Sequence, residues 1–301
     1  MKIVIHTALR DRAWGGGNQF LKVLKKNLES RGVYGEATSA DVSIFNSYQD
    51  LVALIQSFFF HTGIKRVYRL GPIFSLHRKG WKWRLIDRVM IFCANFFASS
   101  VVFQSKWSYE EACRRGFAVS KPSAVIHNAV DGTIFYPKSR SLIAGAKIRL
   151  IYTSWSTNNN KGFEYLQYLD THLDFEKYEM TFIGNTPTDY KNIKICAPLE
   201  SAKLADQLRV HDIFISPTKD DACSNAILEA LACGLPVVAL NSGANRELVK
   251  DGGELYMDEA SLLYAIDRVA QNQAYYTSRI SIETIEQVTD RYLALIRGSI
   301  T

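Results

Sequence analysis

Two carboxylates separated by seven residues, Asp221 and Glu229, are the groups in this 301-residue chain best suited by type and spacing to hold a ligand. Ser224 lies between them as a good helix N-cap. The run Asn225–Cys233 reads as a helix that Gly234 stops, with Pro236 opening the next strand. Glu229 then stands in the second helical turn and Asp221 in the preceding loop, both at the carboxyl edge of a sheet, where open α/β folds bind ligands. An ionised carboxylate only accepts hydrogen bonds, and vicinal hydroxyls are paired donors, so the pair suits a polyol. Each charge-assisted bond would contribute roughly 1.5–3 kcal/mol. A plainer role is also open: a carboxylate favoured by the helix dipole, and a solvated aspartate.

Lys161 is the second candidate. It precedes a helix with Phe163, Leu166 and Leu169 as apolar positions. A cation at a helix start is unfavourable by ~0.3–1 kcal/mol unless an anion is there too. A phosphate would supply that anion and engage the free N–H groups. The alternative is a solvated lysine beside Asn158–Asn160, and Trp155 suits either ring stacking or packing. In the first half, Gly15-Gly16-Gly17 would let a ligand approach the backbone closely. Arg69 offers a fixed charge for a phosphate or an acceptor carboxylate, and its pKa is too high for a base. His77 is a candidate for reaching the same region from a loop. No Asp-x-Asp triplet occurs, which argues against a metal-dependent site, and no cofactor is expected. Cys93, Cys113, Cys196, Cys223 and Cys233 are odd in number and scattered, which supports neither a disulfide framework nor a thiolate zinc site.

The elements that must position these groups alternate. Strand-length apolar runs at residues 2–6, 42–45, 66–70, 100–103 and 123–126 are separated by helix-period stretches. The first helix carries Phe20, Leu21, Leu24 and Leu28 on one face. Residues 135–141 read as an exposed linker. A second alternation follows, with strands at 148–153, 180–183, 213–216 and 237–240, helices near 201–209 and 225–233, and a last helix over 282–296. Short strands buried on both faces imply parallel sheets. The expected architecture is therefore α/β, with two doubly wound Rossmann-like domains and a ligand cleft between them. The boundaries are a first domain at 1–137, a linker at 138–147, a second domain at 148–280, and a terminal helix at 281–301.

Composition excludes a disordered, collagen-like or disulfide-stapled chain: 47% of residues are apolar and 22% charged. The net charge of +6 is uneven. Residues 1–137 hold 19 Lys/Arg against 9 Asp/Glu, and the remainder hold 17 against 21. An anionic partner is expected for the first half. The stretch His77-Arg78-Lys79-Gly80-Trp81-Lys82-Trp83-Arg84 interleaves cations with aromatic rings and suits contact with an anionic membrane surface. Lys25-Lys26 and Arg114-Arg115 could extend that face, and an ordinary solvated surface with inward tryptophans is the alternative. No nucleic-acid signature accompanies it. The start of the chain turns polar too soon for a signal peptide, and the apolar run 89–103 is too short to span a bilayer. A cytoplasmic location is expected, with peripheral contact at the inner face of the membrane.

The run Asp221-x7-Glu229, followed by Ala230-Leu231-Ala232-Cys233-Gly234-Leu235-Pro236-Val237-Val238, resembles the Glu-x7-Glu signature of glycosyltransferase family 4, retaining enzymes of the GT-B fold. The following Ser242-Gly243 … Arg246-Glu247 … Asp251-Gly252-Gly253 resembles that family's continuation. The resemblance implies that Glu229 contacts the donor ribose and Asp221, one methylene shorter than the family's glutamate, contacts the transferred sugar. Lys161-Gly162 resembles the family's diphosphate element, with Ser156 standing where the family has arginine. Gly15-Gly16-Gly17-Asn18 resembles its glycine loop, and His127-Asn128-Ala129-Val130-Asp131 its Pro-Asn-Gly-Val-Asp run. Gly16, Gly17, Asn128, Lys161, Ser224, Asn225 and Glu229 are thus implied donor contacts, with Asp221 and Glu229 the catalytic pair. Where many members carry a histidine near the reacting sugar, this chain has Arg69.

The resemblance implies an acceptor-side domain at 1–137, a donor domain at 148–280 and a last helix that crosses back to the first domain. The function it implies is retaining transfer of a sugar from a nucleoside-diphosphate sugar to a glycan or lipid-linked acceptor. Nucleotide-sugar epimerisation and silent nucleotide-sugar binding are the alternatives.

Overall fold

The computed structural model describes residues 1–10, 16–61, 63–138 and 145–298. The chain divides into two units. The first comprises Met1–Arg10, Asn18–Ala129 and the segment from Glu283 onward; the second comprises Val130–Ile282 together with Gly16 and Gly17.

In the first unit, strands β1 (Ile3–Ile5), β2 (Val42–Asn46), β3 (Lys65–Arg69), β4 (Ser100–Phe103) and β5 (Ser123–Val125) form one parallel sheet in that order. Helices α1 (Gly16–Ser30), α2 (Leu51–Phe60), α3 (Trp81–Phe96) and α4 (Lys106–Arg114) connect them. After α1 the chain makes a single parallel bridge from Tyr34 to Ile3 before crossing to β2. The winding therefore reverses at β1, although the strand on its outer side is reduced to one bridge.

Side chains alternate across this sheet, as period-two geometry requires. Ile3, Ile5, Ile44 and Val67 pack with the apolar stripe of α1 on one face. Phe45, Tyr68, Val101 and Phe103 pack with α2, α3 and α4 on the other.

The second unit holds β6 (Ile148–Ser154), β7 (Tyr178–Gly184), β8 (Lys194–Cys196), β9 (Ile213–Ser216), β10 (Val237–Leu240) and β11 (Gly253–Tyr256). Its helices are α5 (Phe163–His172), α6 (Ser201–Val210), α7 (Asn225–Ala232), α8 (Asn245–Val249), α9 (Glu259–Gln271) and α10 (Gln273–Thr277). The strand order is β11-β10-β9-β6-β7-β8, all parallel, so the winding reverses between β6 and β9. At such a reversal the loops leaving the two strands diverge and open a crevice at their carboxyl ends. Lys161 follows β6 and Asp221 follows β9.

The final helix, α11 (Ile285–Arg297), belongs to the core of the first unit, where Val288, Tyr292 and Ile296 pack with Phe20 and Leu24 of α1. Thr284 and Gln287 form its capping box, and Gly298, in the left-handed region, ends it.

The exposed linker expected at 135–141 begins later than the sequence suggests. Phe135 is buried in the second unit's core, and Arg209 secures the segment by donating to the Ile134 carbonyl at 2.8 Å and stacking over Tyr136. Residues 139–144 lie outside the described residues.

Candidate donor site of the second unit

Three loops meet at the carboxyl edge of the second sheet: residues 155–162 after β6, 217–224 after β9, and 241–244 after β10. Two glycines let them touch. Gly162 has φ +68°, and a Cβ there would fall 2.2 Å from the Pro217 carbonyl oxygen. Gly243 has φ +57°, and its Cβ would meet the Asp221 backbone at 2.6 Å. Only glycine permits both the left-handed backbone and the approach.

Hydrogen bonds then tie the loops together. Lys219 N donates to the Asn160 carbonyl at 2.7 Å, and Ala244 N to the Asp221 carbonyl at 2.9 Å. Buried Asn245 donates through Nδ2 to the carbonyls of both Thr218 and Leu240. The Tyr152 hydroxyl donates to the Lys161 carbonyl at 2.9 Å. Asp220, at φ +50°, receives a hydrogen bond from the Ser242 hydroxyl and donates its own N–H back to that oxygen.

The loops bring the two leading candidates into contact. Lys161 Nζ lies 3.4 Å from Asp221 Oδ2, while Asp221 Oδ1 accepts from Cys223 N at 3.1 Å. The anion that offsets the lysine's charge beside α5 is thus, in the free protein, Asp221. Burial opposes the lysine's charge, but the Asp221 charge, the Tyr152 hydroxyl and the hydrogen bond to Asp221 outweigh it and raise the Lys161 pKa. Lys161 is therefore cationic throughout the neutral range.

Glu229 lies in the second turn of α7, and no described residue hydrogen-bonds its carboxyl. Burial pushes its pKa from 4.5 up to about 8. The ionised acceptor expected from the sequence is therefore a protonated carboxyl in the free protein at neutral pH, able to donate one hydrogen bond as well as accept. Ser224 occupies the N-cap position but makes no capping hydrogen bond through its side chain, contrary to the sequence expectation. The first free N–H groups of α7 keep that capacity for a ligand.

Asn225 donates through Nδ2 to the Gly16 carbonyl at 2.7 Å, and a Cβ on Gly16 would stand 2.9 Å from the Asn225 side chain. Among the described residues, no atom lies within 4 Å of where a Cβ on Gly17 would stand. Both glycines open α1 rather than preceding it as a turn, and Gly15 lies outside the described residues. Trp155 is about half exposed, and its carbonyl accepts from Asn185 Nδ2 at 2.7 Å, pinning the loop after β7 beside it.

The remaining first-half candidates, Arg69, His77 and Asn128, fall in the other unit. Arg69 is 2% exposed, its guanidinium held at 2.6 Å by Asn46 Oδ1, Gln104 Oε1 and Asn128 Oδ1 and stacked over Phe20. Arg69 and Asn128 are thereby brought together. His77 ends a short turn, its N–H donating to the Phe74 carbonyl, and is partly buried. Apart from Ser242, the network of Tyr152, Thr218, Asp220, Ser242 and Asn245 escaped the sequence reading. Its one visible signal was Ser242-Gly243, because a strand tyrosine and a helix-start asparagine look like packing residues.

Residues 147–272 match the family model described as glycosyl transferases group 1. Over 194 residues the chain is 23% identical to an uncharacterized 41.2 kDa protein in the cps region of Klebsiella pneumoniae, covering 60% of this chain and 52% of that one. The match thus spans about half the length of that curated relative. Among solved structures, sucrose-phosphate synthase from Thermosynechococcus elongatus superposes with a TM-score of 0.78 at 13% identity, covering 99% of this chain and 98% of that one. Anabaena HepE in complex with UDP-glucose superposes with a TM-score of 0.75 at 16% identity, covering 98% and 99%.

The fold is that of the GT-B glycosyltransferases. The segment that matches the glycosyl transferases group 1 model, residues 147–272, contains Lys161, Asp221 and Glu229.

Proposed function

We propose that the chain transfers a sugar from a nucleoside-diphosphate sugar to a glycan or lipid-linked acceptor with retention at the anomeric carbon, as a family 4 enzyme. The observation that carries this reading is the Lys161–Asp221 pair at the point where the second sheet reverses, beside the α7 start that leads to Glu229. The match to the group 1 model supports it, as does a UDP-glucose complex among the fold's relatives. The relative encoded in a cps region supports a polysaccharide role.

In this reading the donor diphosphate displaces Asp221 as the main partner of Lys161, and the N–H groups at the helix starts share its charge without a metal ion. Asp221 then faces the transferred sugar, and Glu229 the donor ribose. As the bond from the anomeric carbon to the diphosphate oxygen breaks, negative charge grows on the leaving group beside a lysine already fixed in place. Stabilisation of this kind comes from groups arranged before the reaction.

The test is product analysis by NMR after incubation with nucleoside-diphosphate sugars and an oligosaccharide or polyprenyl-phosphate acceptor panel. The expected product is a glycoside with the donor's anomeric configuration, reduced at least roughly tenfold in yield by Lys161→Ala. An inverted product overturns retention. An epimerised nucleotide sugar without acceptor, or donor binding without turnover across the panel, overturns transfer.

A further inference from the structure

The outer face of α3 is apolar along its whole length. Trp81, Leu85, Val89, Phe92 and Phe96 recur at spacings of four, four, three and four residues, and their exposures run from 37% to 69%. They form one stripe, opposite the buried face of Asp87, Met90, Ile91, Cys93 and Ala94. The helix is thus apolar on two sides, and the sheet uses only one.

The stripe continues onto the end of α2. Phe59 is 63% and Phe60 78% exposed, and Phe58, Phe59 and Phe92 pack on the Phe97 ring, with Phe96 against Phe92. Contiguous exposed apolar surface of this kind marks an interaction site.

Charge selects the partner. Lys82 borders the stripe on one side, and Arg84 and Arg88 border it on the other, all three exposed. Residues 51–100 contain eight Lys/Arg and one acid, Asp87. That acid is buried, where it accepts from the N–H groups of Phe74 and Ser75. No exposed carboxylate on α3 opposes an anionic surface. The tryptophans divide: Trp81 faces out, while Trp83 packs on Phe74 with Arg78 stacked over it. Lys25 and the Arg114-Arg115 pair, suggested by the sequence as extensions of this face, are engaged locally, the first with Glu29 and the others with Glu111.

We propose that the outer face of α3, with the end of α2, seats the protein on an anionic lipid bilayer. The helix lies in the headgroup plane, its stripe in the acyl boundary and its cations on lipid phosphates. At 16 residues it is too short to span, and no described helix is long and apolar enough to cross a membrane.

The experiment is co-sedimentation of the full chain at low salt with phosphatidylglycerol–phosphatidylethanolamine vesicles and, separately, phosphatidylcholine vesicles. The protein is expected on the anionic vesicles. The double variant Leu85→Ser/Phe92→Ser should weaken partitioning by roughly tenfold or more. Lys82→Glu/Arg88→Glu should weaken it by roughly fivefold or more per charge, on anionic vesicles only. All four positions are exposed, so circular dichroism and the melting midpoint should remain those of the parent. Three results would overturn the proposal: no sedimentation with anionic vesicles, sedimentation unchanged in both variants, or self-association of the parent that the apolar variant abolishes in place of vesicle binding. None of these readouts depends on a sugar donor.

Discussion

Glu229 sits without a cation among the described residues while burial holds its carboxyl protonated to about pH 8, so its charge state is coupled to folding. In the unfolded chain the group ionises near 4.5. Between the two values the folded state binds the extra proton, and stability therefore falls as pH rises from about 4.5 to about 8. Glu229→Gln keeps the shape and removes the titration. Its melting midpoint should match the parent's near pH 5 and exceed it at pH 8, by on the order of 1–3 kcal/mol because the side chain keeps some contact with water. A midpoint difference that stays constant across that range would show that the group titrates normally. The identity of Glu229 and its distance along the chain from Asp221 were readable in the sequence, because residue type and helix phase are local. Its protonation was not, since that follows from packing by residues distant in sequence. Ser224 teaches the same lesson: its type suits a cap, but its side chain makes none.

At the scale of elements, the central strands of both sheets were legible because central parallel strands are continuous apolar runs. Ser100–Phe103, Ile213–Ser216 and Val237–Leu240 lie where the alternation puts them. The edge strands β8 and β11 were not, for they are short and half-exposed and lack such a run. The fit between loops was also hidden, since a glycine in sequence does not say what stands beside it. Gly162 is the clearest case, with the Pro217 carbonyl occupying the place a side chain would need. Gly162→Ala should cost at least about 2 kcal/mol in urea unfolding of the second unit, from the left-handed backbone and the clash together. It should also displace Lys161, which is its neighbour in the chain. Unaltered stability would mean that the two loops are not in contact.

Over the whole molecule the net charge of +6 is a sum of unlike halves, ten positive in residues 1–137 and four negative beyond. The positive excess has its most concentrated expression around the exposed stripe of α3, and the acids of the second half include the pair at the reversal of the second sheet. The central claim is that this reversal binds a nucleoside-diphosphate sugar, and a thermal-shift panel of UDP-, GDP-, ADP- and CMP-sugars reads it directly. A ligand that binds only the folded state raises the midpoint, by about 2.7 kcal/mol of stabilisation at a hundredfold excess over its dissociation constant. At least one nucleoside-diphosphate sugar should raise the midpoint of the parent, and both Lys161→Ala and Glu229→Ala should abolish that rise. A panel with no shift, or a shift that survives both substitutions, would contradict the account.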